Sequence, residues 1–537
     1  MKKSLLLIFT LGLITLSHSA YAQYLNQDED NQFLPGKCTS IMVGRLATTD
    51  GSVITSHTCD GPYRTWLEIF PHKKYEDGTT HPVYSGTLYP RETSWDMRNV
   101  TKAGEIAEVK ETYAFLNTAY PCMNEKQLAI GETTIVGRLE LRNPQGIFYI
   151  EELEKIALQR CTTAREAITL IGNLAEEYGY GDYAECITIA DPKEVWQLEI
   201  SGSGKGKPSA IWCAARIPDD QVGVSANMPR ISVIDFGNPD LFMYRKDLKK
   251  VARDLGYWDG SEPLKFWQVI SSYGKPFGIR EFYILSTLAP SLNLSMDAAE
   301  LPFTVKPEKK VSVRDVMKYF RETYEGTQYD ITKNLYLNSA GDGNRQDTLN
   351  RIKSPIACGW MSPDLRRLLN ELRPGVVQYR YTIAQNFCSY SHVIQCRSWL
   401  PDEVGAIAWF SFDNPALSPR IPIFSGVLKL PGSFGICGQQ RYTPEAAIWS
   451  FREANRLATI NWAKGRKLIE PAVKGLEDKA FGEVSDIEKK VVEMVGEGKN
   501  EEARRFVTDY TNNFAYAAMK QWEGLKALLW GMYSEGF

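Results

Sequence analysis

From residue 38 onwards, the pattern of apolar and polar positions becomes strand-like. The run T-S-I-M-V-G-R-L-A-T, the turn sequence T-T-D-G and the run S-V-I-T-S-H-T predict a β-hairpin that bends at Asp50-Gly51. Cys38 then opens the first strand, and residues 57–60 close the second. Because antiparallel pairing brings these two ends to the same edge of the sheet, we expect Cys38 and Asp60 to be neighbours.

Further segments carry strand or helix patterns. Residues 151–179 have helical periodicity and end at a glycine, and the stretch from Thr443 to Phe537 predicts helices that pack on the main body or close a site. The section from about 238 to 350 mixes helix and loop. The glycine-rich run at 201–208 has no Ser or Thr after Gly-Lys, so it predicts a hairpin loop rather than a Walker A phosphate loop. Strands are predicted where β-branched and aromatic residues are frequent, in residues 127–137, 184–192, 194–202, 209–217, 221–227, 378–384, 391–400 and 405–412.

The first 37 residues predict export and processing. Lys2 and Lys3 precede an apolar run over residues 4–16, and Ala20-Tyr21-Ala22 is a small-x-small site, so we expect a signal peptide over residues 1–22. An uncleaved membrane anchor is the alternative, but the apolar run is short for a membrane span. The polar segment 23–37 is interpreted as a propeptide, or else as a flexible leader that stays attached. Residues 38–440 are then the catalytic domain and residues 441–537 a helical C-terminal region.

Composition narrows the choice of partners. The 537 residues are 43% hydrophobic with a net charge of −3, which suits a large core and gives no sign of nucleic-acid or anionic membrane binding. We expect a soluble, exported protein, periplasmic or extracellular, without a membrane contact after signal cleavage. The sequence leaves open whether the protein forms a homo-oligomer. The chain has ten cysteines, and an exported location permits disulfides, but the sequence does not show which cysteines pair. With four histidines after the signal peptide and no H-E-x-x-H or G-x-S-x-G motif, we expect no metal and no organic cofactor.

Cys38 is the candidate nucleophile. A cysteine released at a new N-terminus carries a thiol and an α-amine on one residue, and the amine can act as general base for the thiol. The alternative is a buried structural cysteine. A carboxylate at Asp60 would orient that amine and tune its proton affinity, or else it is a turn-forming Asp before Gly61-Pro62.

Five further positions complete the candidate site. Asn227, at the end of a predicted strand, is a candidate oxyanion donor or a turn residue before proline. Thr133 and its neighbour Thr134 lie in another strand and could line the same cleft. Arg230 is a candidate for binding a substrate carboxylate in a bidentate manner. His57 could be a cation near the thiol, a hydrogen-bond donor, or a strand residue on the surface.

Together these segments resemble the dipeptidase A (PepD-type) family of N-terminal nucleophile cysteine peptidases, which is related to choloylglycine hydrolases and penicillin V acylases. The carrying motifs are C-T-S-I-M-V-G-R-L-A-T-T-D-G-S from Cys38, I-G-E-T-T at 130–134, A-D-P-K-E-V-W-Q-L-E-I at 190–200, R-I-P-D-D-Q-V-G-V-S-A-N at 216–227 and W-F-S-F-D-N-P at 409–415. The resemblance implies an α+β fold, an αββα sandwich of two antiparallel sheets between helical layers, and autocatalytic removal of the segment before Cys38.

The resemblance also implies site roles. Cys38 is the expected nucleophile and base, Asp60 the amine-orienting carboxylate and Asn227 an oxyanion-hole donor, with Thr133 near an oxyanion-side position. Relatives commonly carry Arg three residues before the aspartate, whereas this chain has His57, and a histidine there can be neutral at physiological pH.

The sequence therefore predicts an exported cysteine-dependent dipeptidase that hydrolyses small peptides through an acyl-enzyme. Two alternatives stay open. One is a related amidase acting on N-acyl amino acids, bile-salt conjugates or penicillin-like amides. The other is an inactive binding protein on the same scaffold.

Overall fold

The structure, a computed structural model, describes residues 37–135, 137–338 and 351–536. The predicted signal peptide and residues 23–36 of the predicted propeptide lie outside these residues. Residues Gly36–Phe537 form one compact unit. The strands are β1 (Ser40–Val43), β2 (Val53–Asp60), β3 (Glu68–Phe70), β4 (Lys73–Lys74), β5 (Thr80–Ser85), β6 (Thr101–Ala107), β7 (Glu111–Thr112), β8 (Phe115–Asn117), β9 (Met123–Asn124), β10 (Ala129–Thr134), β11 (Glu185–Ala190), β12 (Val195–Gly202), β13 (Ala210–Ile217), β14 (Val222–Ser225), β15 (Phe242–Tyr244), β16 (Thr304–Val305), β17 (Tyr336–Asn338), β18 (Arg351–Lys353), β19 (Cys388–Cys396), β20 (Ala406–Phe412) and β21 (Ile421–Phe424).

The helices are distributed along the chain, and the longest lie near its C-terminal end. They are α1 (Ile150–Arg160), α2 (Ala164–Tyr178), α3 (Leu248–Asp254), α4 (Phe266–Ile270), α5 (Ile279–Leu288), α6 (Val313–Tyr319), α7 (Pro363–Leu372), α8 (Asp402–Gly405), α9 (Ala447–Ile460), α10 (Trp462–Gly496) and α11 (Asn500–Gly531). Short 3-10 turns span Leu139–Leu141, Pro290–Leu292 and Gly432–Gly435.

Two large antiparallel sheets dominate the fold. One has the strand order β16-β14-β1-β2-β19-β20-β21, and the other has the order β15-β13-β12-β11-β10-β9-β8-β3. Three two-stranded ribbons, β17-β18, β4-β7 and β5-β6, accompany them. The α+β prediction is thereby confirmed. The central strands β2, β12 and β19 are buried along their whole length, and their polar side chains are buried with them.

The predicted hairpin is formed by β1 and β2. Val43 lies opposite Ile54, and the backbone N–H of Thr58 donates to the carbonyl of Thr39 at 3.0 Å. The bend predicted at Asp50-Gly51 lies within the loop that joins the two strands. Because the strands are antiparallel, the start of β1 and the end of β2 meet at one edge of the sheet, as predicted.

The two sheets make a polar contact through the first half of β2. Thr55 on β2 and Thr188 on β11 share a hydrogen bond of 2.6 Å between their hydroxyl oxygens. The close approach depends on Gly131 in β10, where an added Cβ would lie 2.5 Å from the carbonyl oxygen of Ser56. A glycine is therefore required at this point for steric reasons, since any side chain would force the sheets apart.

Helices contact the far faces of both sheets. In α2, Glu176 accepts a hydrogen bond of 2.7 Å from the indole of Trp212 in β13. In α11, Thr511 donates to the carbonyl of Pro422 in β21 at 2.9 Å, and Phe481 of α10 stacks on Trp409 of β20 with ring centroids 4.2 Å apart. The apolar stripes of the C-terminal helices thus pack on the main body of the protein.

The helical pattern of residues 151–179 is confirmed and is divided between two helices, because Thr163 caps a new helix and forms a reciprocal capping box with Glu166. One local prediction was wrong. Residues 378–384 form no strand despite their aromatic and β-branched content. Their backbone bonds to distant loop segments instead: the N–H of Ala384 donates to the carbonyl of Glu322, and the N–H of Gln378 donates to the carbonyl of Ile331. Tertiary context therefore overrode the local β preference.

All ten cysteines are free thiols in the described part of the chain, and nine of them are buried. No helix among residues 37–135, 137–338 and 351–536 combines the length and apolar character needed to cross a bilayer.

Candidate active site

Cys38 lies at the start of the β1 segment and is fully buried. The backbone N–H of Asp60 donates to its Sγ at 3.5 Å, so the thiol lies beside the end of β2, as predicted. Burial raises the pKa of the Cys38 thiol well above its ordinary value, and the nearby carboxyl groups of Glu132 and Asp60 raise it further. Ionising the thiol therefore requires a proton acceptor close by.

Asp60 is buried as well. Its Oδ2 accepts a hydrogen bond of 2.7 Å from Thr58 Oγ1, while its Oδ1 has no nitrogen or oxygen donor among the described residues. Burial raises the pKa of Asp60 to about 6, against the lowering effect of the Thr58 hydroxyl. The side chain of Cys388 also hydrogen-bonds to this carboxyl group.

Arg280, which the sequence analysis did not identify, bonds to several groups of the site. It lies in the first turn of α5 and is almost fully buried. Its Nη1 is 2.6 Å from the carbonyl oxygens of both Lys37 and Cys38, and its Nη2 donates to the carbonyl of Ala226 at 2.9 Å. A guanidinium therefore contacts the carbonyl of the peptide bond that joins Lys37 to Cys38.

Glu281, the next residue in α5, fixes the start of that helix. Its carboxylate accepts the N–H of Gly278 at 2.9 Å and the N–H of Ala226 at 3.0 Å. The helix is thereby anchored to the end of β14, which places Arg280 over the start of β1.

Asn227 lies directly beyond β14 with a positive φ of 67°. Its Oδ1 accepts a hydrogen bond of 2.8 Å from Arg280 Nη2, and its Nδ2 donates to the carbonyl of Thr134 at 2.8 Å. The left-handed backbone, which Asn tolerates better than most residues, turns the amide towards Arg280. Thr133 is buried in β10 and shares a hydrogen bond of 2.6 Å with the hydroxyl of Ser225.

His57 is fully buried rather than on the surface. Its Nδ1 contacts the backbone of Glu132, whose N–H lies at 3.2 Å, and its ring packs among Tyr120, Tyr390 and His392 with centroid distances of 5.5 to 5.9 Å. Burial lowers the pKa of His57 to about 3. The imidazole is therefore neutral at physiological pH and supplies no positive charge to the thiol.

Glu132 is the second residue that the sequence analysis missed. Donor atoms of Cys38, His57 and Glu132 all lie within 4.8 Å of one another, so these three side chains are a group that could converge on a metal ion. Burial raises the pKa of Glu132. The signal for Glu132 was a charged residue inside the strand motif I-G-E-T-T, whereas Arg280 had no local signal.

Arg230 is buried and has partners within the fold. Its Nη1 donates to the carbonyl of Pro276 at 2.9 Å, its Nη2 donates to Pro302, and its backbone N–H donates to Glu199. Its substrate-binding role stays a prediction, as do the catalytic roles of the other candidates.

Comparisons with known proteins agree with a peptidase site. The sequence model of Peptidase family C69 matches residues 37–475 of this chain. The chain is similar to a "Probable dipeptidase" of Latilactobacillus sakei, at 26% identity over 72% of this chain and 74% of the relative. It is also similar to a "Probable dipeptidase B" of Lactococcus lactis subsp. lactis (strain IL1403), at 24% identity over 77% and 79% of the two chains, and to a "Dipeptidase A" of Lactobacillus helveticus, at 22% identity over 74% and 76%.

The chain therefore belongs to peptidase family C69 and is a cysteine peptidase, a hydrolase. The family resemblance drawn from the sequence is confirmed.

Proposed function

We propose that this protein is an exported dipeptidase of the N-terminal nucleophile class, activated by its own cleavage between Lys37 and Cys38. The observation that carries the proposal is the convergence of three groups on one peptide bond. The Cys38 thiol, the Asp60 carboxylate and the Arg280 guanidinium all lie around the Lys37–Cys38 linkage.

The architecture supports this class. Two antiparallel sheets contact each other through polar side chains. Helices cover their outer faces, with α2 on one side and α9–α11 on the other. We assign this arrangement to the αββα sandwich of N-terminal nucleophile hydrolases, in which the nucleophile opens a central strand. Residues 38–440 would supply the catalytic domain and residues 441–537 a helical layer.

Maturation proceeds by acyl transfer within the chain. Cys38 Sγ attacks the carbonyl carbon of Lys37, and the resulting oxyanion is stabilised by the Arg280 guanidinium. As the C–N bond breaks, the nitrogen of Cys38 takes up the proton that the thiol has lost and leaves as an amine, and a thioester to Lys37 remains. Water hydrolyses the thioester, which frees the thiol and ends the leaving segment in a carboxylate.

Turnover repeats the chemistry on a substrate. The α-amine of Cys38, oriented by Asp60 Oδ1, takes the thiol proton, and the thiolate attacks the scissile carbonyl of a small peptide. Asn227 and backbone N–H groups stabilise the oxyanion, and its collapse leaves an acyl-enzyme that water hydrolyses with the same amine as base. Because His57 is neutral, the cation near the thiol in this chain is Arg280.

Two lines support the substrate and the location. The relatives that cover about three quarters of the chain are named dipeptidases, which favours small peptides as substrates. The export signal over residues 1–22 favours a periplasmic or extracellular protein.

The test is an intact-mass measurement combined with a substrate panel. Wild-type protein is expected to begin at Cys38 and to hydrolyse dipeptides, while Cys38→Ala keeps the preceding segment and is inactive. Cys38→Ser is the matched variant, since it keeps a weaker nucleophile and should process more slowly. A fully active protein that begins upstream of Cys38 overturns the proposal. Turnover of N-acyl amino acids without turnover of dipeptides favours the related amidase instead.

A further inference from the structure

A pair of buried acidic side chains lies beside the nucleophile and has no part in the mechanism above. Glu132 in β10 and Glu185 in β11 lie on adjacent antiparallel strands, where Glu185 is opposite Thr134. Both are buried, at 0% and 3% exposure. Their carboxyl groups are close enough to hydrogen-bond to each other, so one proton can be shared between them.

This pair lacks a positive partner. Among the described residues, no Lys or Arg forms an ion pair with Glu132 or Glu185, and Oε2 of each has no donor. Burial raises the pKa of both groups; Glu132 raises the pKa of Glu185 further, whereas the hydrogen bonds with Glu185 and Thr134 lower that of Glu132. Buried carboxylates are normally paired, because burying an unpaired charge is costly. The pair is therefore an incomplete site that a cation would complete.

The distance from the Glu132 carboxylate to Cys38 Sγ suits the ammonium group of a bound peptide. A carboxylate oxygen of Glu132 lies within 4.8 Å of Cys38 Sγ. In a dipeptide the α-ammonium nitrogen is two bonds from the scissile carbonyl carbon, a separation of about 2.5 Å. Since the sulfur approaches that carbon to about 3 to 3.5 Å before attack, an ammonium group on the Glu132 side of the carbon comes within hydrogen-bond reach of that carboxylate.

We propose that Glu132, supported by Glu185, binds the free α-ammonium group of the substrate. This inference rests on the proposed dipeptidase function and explains its selectivity: the enzyme accepts peptides with a free N-terminus and rejects N-acylated ones. An N-acyl substrate brings a neutral amide to the carboxylates, and its acyl group needs room in a buried position. The acidic pair is thus the specificity determinant that separates a dipeptidase from an N-acyl amidase.

The experiment compares a dipeptide with its des-amino analogue, in which hydrogen replaces the ammonium group. For mature wild-type protein, kcat/KM is expected to be about 100-fold higher for the dipeptide, since a site built for a polar group discriminates strongly against its loss. In Glu132→Gln this ratio is expected to collapse towards one, mainly through a higher KM for the dipeptide, with little change for the analogue. If Glu132 had only a structural role, the substitution would lower kcat/KM for both substrates by the same factor.

Matched variants keep the test decisive. Glu154→Gln also neutralises a buried acid, but one outside the Cys38–His57–Glu132 group, and it should keep the wild-type ratio. Where Glu132→Gln does not fold or mature, Glu185→Gln is measured in the same way and should lower the ratio about 10-fold. A Glu132→Gln protein that retains the wild-type ratio overturns the inference and leaves the dipeptidase function intact. A wild-type enzyme that prefers N-acyl substrates overturns both.

Discussion

Arg280 offers the sharpest test of how the chain matures. The perturbation is Arg280→Met, which keeps an unbranched side chain but removes the charge and every donor, with Arg280→Lys as a variant that keeps the charge. The guanidinium serves five acceptors: the carbonyls of Lys37, Cys38 and Ala226 at 2.6, 2.6 and 2.9 Å, Thr39 Oγ1 at 3.2 Å and Asn227 Oδ1 at 2.8 Å.

Two magnitudes follow from this geometry. Removing one donor from an oxyanion typically costs about 100- to 1,000-fold in rate, and the Lys37 carbonyl already lies at hydrogen-bond distance from Nη1. We therefore expect self-cleavage of Arg280→Met to slow by about 100-fold or more. Stability also falls, by roughly 1 to 3 kcal/mol for each buried acceptor that finds no new donor. The rate of self-cleavage of Arg280→Lys should lie between those of Arg280→Met and wild type. An ammonium is a point charge and cannot bond to the acceptors of both Nη1 and Nη2.

The assay follows freshly synthesised chain by intact mass and measures the rate at which the segment before Cys38 is lost. Arg397→Lys is the matched control. Arg397 is also buried and donates to the backbone carbonyls of Val404 and Gly405, but it follows the end of β19 that pairs with Val53, away from the site. This control should lose stability and mature at the wild-type rate. Folded Arg280→Met protein that matures within about threefold of wild type would refute the reasoning, since such a difference is under 1 kcal/mol.

Three further predictions test other parts of the structure. Gly131→Ala should lower the free energy of unfolding by about 1 to 3 kcal/mol in urea titrations, because its Cβ would meet Ser56 and the sheets cannot separate freely; Gly475→Ala, on an open helix face, should not destabilise, and equal effects would contradict the steric argument. Asp60→Asn should reduce kcat on dipeptides by about 100-fold or more, since the amine loses its carboxylate partner; unchanged turnover in mature protein would exclude that role. Burial lowers the pKa of His57 to about 3, so its neutral form contributes stability that is complete above pH 6.5 and is lost as the pH falls towards 3. The difference in unfolding free energy between wild type and His57→Asn should therefore shrink by roughly 2 kcal/mol from pH 6.5 to pH 5, whereas a constant difference would contradict a buried neutral histidine.

Part of the fold and site could be predicted from the sequence. The strand-like runs after Cys38 and the turn at Asp50-Gly51 predicted β1 and β2 as an antiparallel pair, and that pairing brings Cys38 and Asp60 together. These features depend on contacts between residues close in sequence, where side-chain period and turn chemistry restrict the backbone to few arrangements. The same local rules predicted the loop between β12 and β13.

Other features depend on tertiary structure. Arg280 is far from Cys38 in sequence, and it reaches the Lys37 carbonyl only because α5 is anchored beside the end of β14 by Glu281. His57 occupies a strand position that could face water or the core, and the second sheet decided for the core.

The sequence by itself determined which residue opens the central hairpin and which carboxyl group lies beside it, because short-range backbone geometry fixes both. Only the packing of helix and sheet decided which cation contacts the Lys37 carbonyl, which histidine is neutral and which acidic pair lies next to the thiol. Those properties follow from burial and from contacts between distant segments, and local periodicity contains no information about either.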